Sequence, residues 1–370
     1  MRYELIQNNQ YNIGHICTAQ QCAAGRGNKL AMRWFSPRLE RSDYTFFELE
    51  CSTNRFANLL QGLGMTKGEV LFTFLPKSTE QMVAFLGSLK AECITGTLFS
   101  NFGEDALLDR LGDSAARLVV TRKSLYRKIE RIRDQLPALR TIILTDVAAD
   151  LSADVLSWSR LMAEASEIFV APVTAADTPS VLHYTSGSTG KPKGVLHRHG
   201  SVLQQSRTAS EVLGLEDDDL FWCTADQGWV TGTSYGIIGP WSLGVTQLHY
   251  GGGYDAGHWF DLLQREQVTV WYTAPTALRM LMREEQELYR GLDLSHLKQI
   301  FSVGEPLNPE VISWSRSCLA KEIYDTWFQT ETGAIMIANR PGVPVRPGSM
   351  GVALPGIEPG ILADDGTELP

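Results

Sequence analysis

The stretch HYTSGSTGKPKGVLH, His183 to His197, lies between two apolar runs and is dense in Gly, Ser, Thr and Lys. Strand Val181–Tyr184 is predicted just before it, and an amphipathic helix near Ser201–Leu213 after it. Its reading decides whether the chain is built from βαβ units that place anion-binding turns at strand ends. Gly187, Gly190 and Gly194 let a backbone approach a ligand closely. Thr185, Ser186, Ser188 and Thr189 offer hydroxyls, and Lys191 and Lys193 supply positive charge. A turn leading from a strand towards a helix also has free N–H groups and a favourable dipole, so phosphate is the fitting guest.

Three rival readings are weaker. A Walker A loop needs four residues between its glycines, then Lys and Ser or Thr. Here only two residues separate Gly187 from Gly190, and Pro192 follows Lys191. A nucleophile elbow needs glycines two residues to either side of the serine, which neither Ser186 nor Ser188 has. A flexible Ser/Gly linker has no reason to sit between a buried strand and an amphipathic helix.

Outward from this loop, helical periods alternate with short Val, Ile, Leu and Phe runs from about Tyr44 onward, the pattern of βαβ construction. Strands are predicted at Val70–Phe74, Ile94–Phe99, Leu118–Thr121 and Thr141–Leu144, then at Val181–Tyr184, Leu220–Cys223, Thr246–Tyr250, Val268–Tyr272, Gln299–Val303 and Glu322–Tyr324. The expected fold is α/β: two βαβ-type lobes with mostly parallel sheets flanked by helices, over 1–170 and 171–340. The Pro- and Gly-rich segment 341–370 reads as the start of a small β unit. Polar turns follow several predicted strands: TADQGWVTG after Cys223, GEPLNP after Val303 and DTWFQTETG after Tyr324. Turns beyond the carboxyl ends of parallel strands converge on one crevice.

Composition narrows the function. The 370 residues are 44% hydrophobic and 20% charged, with a formal net charge of −9. That balance gives no general attraction to nucleic acid or to an anionic membrane. No run of about 18 apolar residues occurs, and the start, MRYELIQNNQ, lacks the basic and apolar regions of a signal peptide. A cytoplasmic enzyme with small-molecule partners is expected; its oligomeric state is not readable. Of six cysteines, Cys17 and Cys22 lack the spacing of a zinc knuckle, and reduced thiols are expected. The basic helix Leu125–Leu136 reads mainly as a solvated outer face, with a role in holding a polyphosphate cofactor as the alternative. His183, His197 and His199 flank the loop without an identifiable acid–base partner and are read as structural.

YTSGSTGKPKG, APT at Ala274–Thr276, VGEP at Val303–Pro306 and YDTWFQTETG together resemble the adenylate-forming superfamily. WCTADQGWVTG and SVGEPLNPEV make the chain most similar to its acyl-CoA synthetases acting on acetate. The resemblance runs from about Tyr44 to the final residue. It implies that a short-chain carboxylate, acetate favoured and propionate next, attacks the α-phosphate of ATP, and that the thiol of coenzyme A then displaces AMP. Both steps develop negative charge on oxygen, which positioned donors stabilise.

Carried over by position, Thr185 to Lys193 would close over the departing phosphates, with Lys193 counted among the catalytic groups. Gly304, Glu305 and Pro306 would line the adenine, completed by Asp325, Thr326 and Trp327. Gln329 and Thr330 would face the α-phosphate, and Glu331 would hold Mg²⁺. Val230, Thr231, Val303 and Phe328 would wall the acyl pocket, with Trp229 read equally as packing. Family members usually carry a second Trp for short acids where this chain has Phe328. They also continue into a small domain bearing a catalytic Lys, whereas this sequence stops at Leu369 and Pro370. The expectation is therefore an amino-terminal portion that makes acyl-CoA poorly alone. An adenylation module loading a carrier protein, and a silent nucleotide-binding remnant, are the alternatives.

Overall fold

The computed structural model describes residues 5–186 and 190–369. Gly187, Ser188 and Thr189 lie outside the described residues.

Helix starts follow local chemistry. Helix Phe46–Gly62 opens on a capping box in which Thr45 Oγ1 accepts from the Glu48 N–H at 3.2 Å and the Glu48 carboxylate accepts from the Thr45 N–H at 2.8 Å. Ser78 caps helix Thr79–Lys90 and Asp255 caps helix Ala256–Arg265. Pro275 and Pro309 begin their helices, where a missing N–H costs no helical bond.

The strands assemble into two large sheets. The first runs Val155–Ser157, Thr141–Leu144, Leu118–Thr121, Val70–Phe74, Ile94–Leu98, Pro179–Ser186, Pro192–Arg198. All neighbours are parallel except the last pair. The second has nine strands, in the order Val352–Ala353, Ile337–Ala338, Ile323–Trp327, Gln299–Ser302, Val270–Thr273, Leu220–Cys223, Thr246–Tyr250, Leu30–Phe35, Arg41–Thr45. It is parallel in the middle and antiparallel at both margins. Central strands such as Leu118–Thr121 and Val270–Thr273 are buried throughout, as parallel sheets covered on both faces require. Helices flank the sheets, and four apolar clusters fill the layers between them. The α/β reading with mostly parallel sheets holds. Among the described residues, no helix is long and apolar enough to cross a membrane.

Two sequence expectations require correction. A division of the sheets at residue 170 does not describe the topology. Leu30–Phe35 belongs to the nine-stranded sheet, where Met32 pairs with Gln247, while Pro179–Arg198 completes the seven-stranded one. The partner of Leu30–Phe35 is remote in sequence, and local periodicity carries no trace of it. The second correction concerns the loop. It joins two antiparallel strands, with Thr185 opposite Lys193 and Tyr184 opposite Gly194, rather than a strand and a helix. Helix Val202–Glu211 begins only after strand Pro192–Arg198 and a single 3₁₀ turn. Pro192 and Gly194 hid this strand; Pro is tolerated there because it is the first strand residue on a sheet margin.

Candidate active site

The carboxyl ends of the central strands in the nine-stranded sheet bring the motif turns together. Strands Gln299–Ser302 and Ile323–Trp327 are parallel neighbours, with Ser302 opposite Asp325, so GEP and DTWFQTETG leave the sheet side by side. Ser302 Oγ donates to Asp325 Oδ1 at 2.5 Å. Thr326 Oγ1 donates to the Ser302 carbonyl at 2.9 Å and pairs with the Tyr272 hydroxyl at 2.7 Å. Asp325 is buried, and loss of hydration lifts its carboxyl to about 6 against the opposing bonds from Ser302 and Thr326. Trp327 is half-buried on the same strand.

The GEP turn is tied to the APT turn on the neighbouring strand. The Thr276 N–H donates to Glu305 Oε1 at 3.2 Å, and its hydroxyl donates to the same oxygen. Arg279, one helical turn along, pairs with the other carboxylate oxygen and reaches Asn308 Oδ1 at 3.1 Å. Burial pushes the Glu305 carboxyl up, but the donors Thr276 and Arg279 together outweigh it and hold the group below the usual range. Gly304, with φ of +99°, turns the backbone where a side chain would strain it, and Gly304 and Pro306 are exposed around this ion pair.

Val230, Val303 and Phe328 belong to one apolar cluster, and Thr231 is buried next to Val230. Phe328 packs edge-on against Tyr235, ring centroids 5.4 Å apart. Just beyond it the chain emerges: Gln329 and Glu331 are exposed and Thr330 half-buried. This turn closes on itself, the Gln329 N–H reaching Thr332 Oγ1 at 3.1 Å and the Gly333 N–H reaching the Gln329 carbonyl at 3.0 Å. Trp229 is 61% exposed, with its ring edge-on to Phe99 at 5.0 Å, so it is not a core residue.

The seven-stranded sheet reaches the same turn through its marginal hairpin. His197, on strand Pro192–Arg198, lies against Gly333 so closely that a Cβ there would stand 2.5 Å from the ring. His183, on the paired strand, meets His197 edge-to-face at 5.9 Å, and its Nε2 lies 2.9 Å from Thr233 Oγ1. Burial depresses both imidazoles, with the Thr330 carbonyl and the Glu331 carboxylate partly restoring His197. Thr185 is half-buried, and Ser186, Gly190, Lys191 and Lys193 are exposed around the hairpin end. Contacts that sequence reasoning missed are those of Ser302, Tyr272, Arg279, Ser234 and Tyr235. Two of these had a nearby signal: Ser302 opens the SVGEPLNPEV segment, and Arg279 stands one helical turn beyond APT.

The polar turns thus leave the carboxyl ends of neighbouring strands beside the buried apolar residues Val230, Val303 and Phe328. The chain belongs to the AMP-binding enzyme family, whose model matches residues 19–370. Its relatives are more particular. It is 40% identical to an acetyl-coenzyme A synthetase of Bacillus subtilis (strain 168) over 360 residues, covering 97% of this chain and 62% of that protein. A Pyrobaculum aerophilum acetyl-coenzyme A synthetase is 35% identical over 403 residues, covering 100% of this chain and 60% of that protein. Among solved structures, a Brucella canis acyl-CoA synthetase superposes with a TM-score of 0.89 at 30% identity, over 97% of this chain and 65% of that one. An anthranilate CoA ligase in complex with anthranoyl-AMP gives 0.89 at 27% identity, over 98% and 67%. The chain spans about three fifths of the length of the curated relatives it matches.

Proposed function

We propose that this site activates a short-chain carboxylate, acetate first and propionate next, as an AMP-forming acid–thiol ligase. The carboxylate oxygen attacks the α-phosphorus of ATP and pyrophosphate leaves; the thiol of coenzyme A then takes the acyl group and AMP departs. The observation that carries this reading is the adjacency of Phe328, fixed edge-on against Tyr235, to the exposed polar residues Gln329, Thr330 and Glu331. Apolar side chains next to such a polar turn suit a small acid whose tail lies against them and whose carboxylate faces phosphate.

Each group then has a task. Gln329 and Thr330 orient the α-phosphate oxygens, and donors already in place at a developing charge lower the barrier, by about 3 kcal/mol per donor. Lys191 and Lys193, with Thr185, Ser186 and Gly190, receive the departing phosphates. The remaining loop residues Gly187, Ser188 and Thr189 are assigned to the same task by sequence. Gly304, Glu305 and Pro306, with Asp325, Thr326 and Trp327, hold the adenine, and the Thr276–Arg279 grip keeps Glu305 ionised and fixed. Val230, Thr231, Val303 and Phe328 limit the acyl tail.

For Mg²⁺ the donor set fits. Among the described residues, no group of three or more His, Cys, Asp or Glu could cage a metal, and Glu331 is an exposed single carboxylate. Mg²⁺ is commonly held by one or two carboxylates together with substrate phosphates and water. Glu331 would hold it, and the ion would supply charge neutralisation on phosphate oxygens.

Pyrophosphate release with ATP and Mg²⁺, measured across acetate, propionate, butyrate and octanoate, tests the proposal. Acetate should lead and octanoate should give almost nothing. A lead for octanoate would overturn the acyl assignment. Coenzyme A offered against a carrier protein then identifies the acceptor.

A further inference from the structure

The geometry points to Tyr235 as the positioning residue that sets acyl selectivity, by supporting Phe328 and the Gln329–Glu331 turn as one unit. This rests on the acyl-site reading above. Tyr235 lies in the π-helical turn Ser234–Ile238, shortly after the pocket residues Val230 and Thr231, and is wholly buried. A π-helical turn is an unusual local winding that tends to mark functional positions.

Its hydrogen bonds are determined by elimination. Thr208 Oγ1 spends its single hydrogen on the Gln204 carbonyl at 2.6 Å. The Tyr235 hydroxyl therefore donates to Thr208 Oγ1, 2.7 Å away, and its oxygen accepts the Ile335 N–H, also at 2.7 Å. A ring tethered at its far end presents an immobile edge to Phe328 and to Tyr272, with centroids at 5.4 and 5.8 Å. One residue earlier, Ser234 Oγ donates to the Gly333 carbonyl at 2.9 Å and accepts from the Gln205 amide at 3.0 Å.

Both flanks of the phosphate-facing turn thus rest on the pair Ser234 and Tyr235: Phe328 before it, Gly333 and Ile335 after it. Phenylalanine would serve the packing as well. What the hydroxyl adds is the link between acyl wall and turn. An acid too long for the acyl wall pushes Phe328 onto Tyr235 and, through Ile335, displaces Gln329 and Thr330. Discrimination then appears in kcat rather than in KM.

The test compares Tyr235→Phe with Thr208→Ala, which removes the hydroxyl's acceptor but keeps the ring. Pyrophosphate release is followed with acetate and propionate, alongside hydrogen exchange at the Ile335 amide. In both variants the acetate-to-propionate ratio of kcat should fall by about threefold or more, the worth of part of a methylene's discrimination. In Tyr235→Phe the Ile335 amide loses its acceptor and should exchange at least about tenfold faster. An equal loss towards both acids with the ratio unchanged, or unaltered Ile335 exchange in Tyr235→Phe, would overturn the role of Tyr235 alone. A wild-type chain that releases no pyrophosphate with any short acid overturns the acyl-site reading and this inference with it.

Discussion

Gly333→Ala probes the contact between the marginal hairpin and the Gln329–Glu331 turn. Gly333 has φ of +69°, where a side chain costs about 1–2 kcal/mol in the backbone alone. The new Cβ would stand 2.5 Å from His197 Cε1 and 2.7 Å from Nδ1. Ordinary carbon contacts begin about 1 Å further out, so either the ring or the turn must move. Overpacking of this kind costs about 1–3 kcal/mol, which brings the total to roughly 2–5 kcal/mol. The turn cannot yield freely, because the Gly333 carbonyl is held by Ser234 Oγ at 2.9 Å.

A double-mutant cycle separates the two contributions. In a His197→Ala background the steric part vanishes and the backbone part persists, so Gly333→Ala should there cost only about 1–2 kcal/mol. Urea unfolding of the four proteins gives the coupling, expected at about 1–3 kcal/mol. Equal costs of Gly333→Ala in both backgrounds would show that His197 does not press on this turn. The reasoning about how the hairpin meets the site would then be wrong.

Phe328→Ala empties a position that is 7% exposed and should cost about 3–5 kcal/mol in stability. The vacated space should move the preferred acid from acetate towards longer chains, read as pyrophosphate release from acetate to hexanoate; an unchanged order would contradict the acyl wall. Burial lifts the Asp325 carboxyl to about 6, above its unfolded value near 3.9, so its contribution to stability is complete below about pH 4 and is lost as pH rises through 6. Wild type should therefore lose on the order of 2–3 kcal/mol relative to Asp325→Asn between those pH values, and parallel stability curves would refute this. Burial pushes His199 the other way, down to about 3, while its Nδ1 accepts the Ile13 N–H at 3.0 Å. Its contribution is present above the unfolded value of about 6.5 and lost as pH falls towards 3. His199→Asn, which keeps an acceptor and cannot be protonated there, should flatten that acid slope in thermal unfolding.

Strands whose edges are marked chemically were legible in the sequence. Leu118–Thr121, Thr141–Leu144, Leu220–Cys223 and Thr246–Tyr250 match the predicted spans residue for residue; the first three are compact runs of β-favouring residues within polar flanks. Helix Thr79–Lys90 is marked in the same chemical way, by the Ser78 cap at its start. The hairpin Leu30–Thr45 was not legible. Arg33, Arg41 and Asp43 interrupt its apolar character, and those charges are satisfied by each other and by Glu266, which sequence does not place nearby.

The site divides in the same way. Turns such as Gly304–Pro306 and Gln329–Glu331 could be read, because a polar glycine-bearing segment after a buried strand has few other places to go. The groups that hold those turns in position could not. Tyr235, Ser234 and Thr208 look like ordinary members of helical segments, and their importance arises only where Ile335 and Gly333 return from nearly a hundred residues away to meet them. A motif therefore exposes the groups offered to a substrate and conceals the scaffold that orients them. Around Gln329–Glu331 the concealed part is one buried tyrosine hydroxyl and one serine, each joined to backbone of the returning chain, at Ile335 and Gly333. Backbone partners carry no residue identity, and for that reason linear sequence cannot announce them.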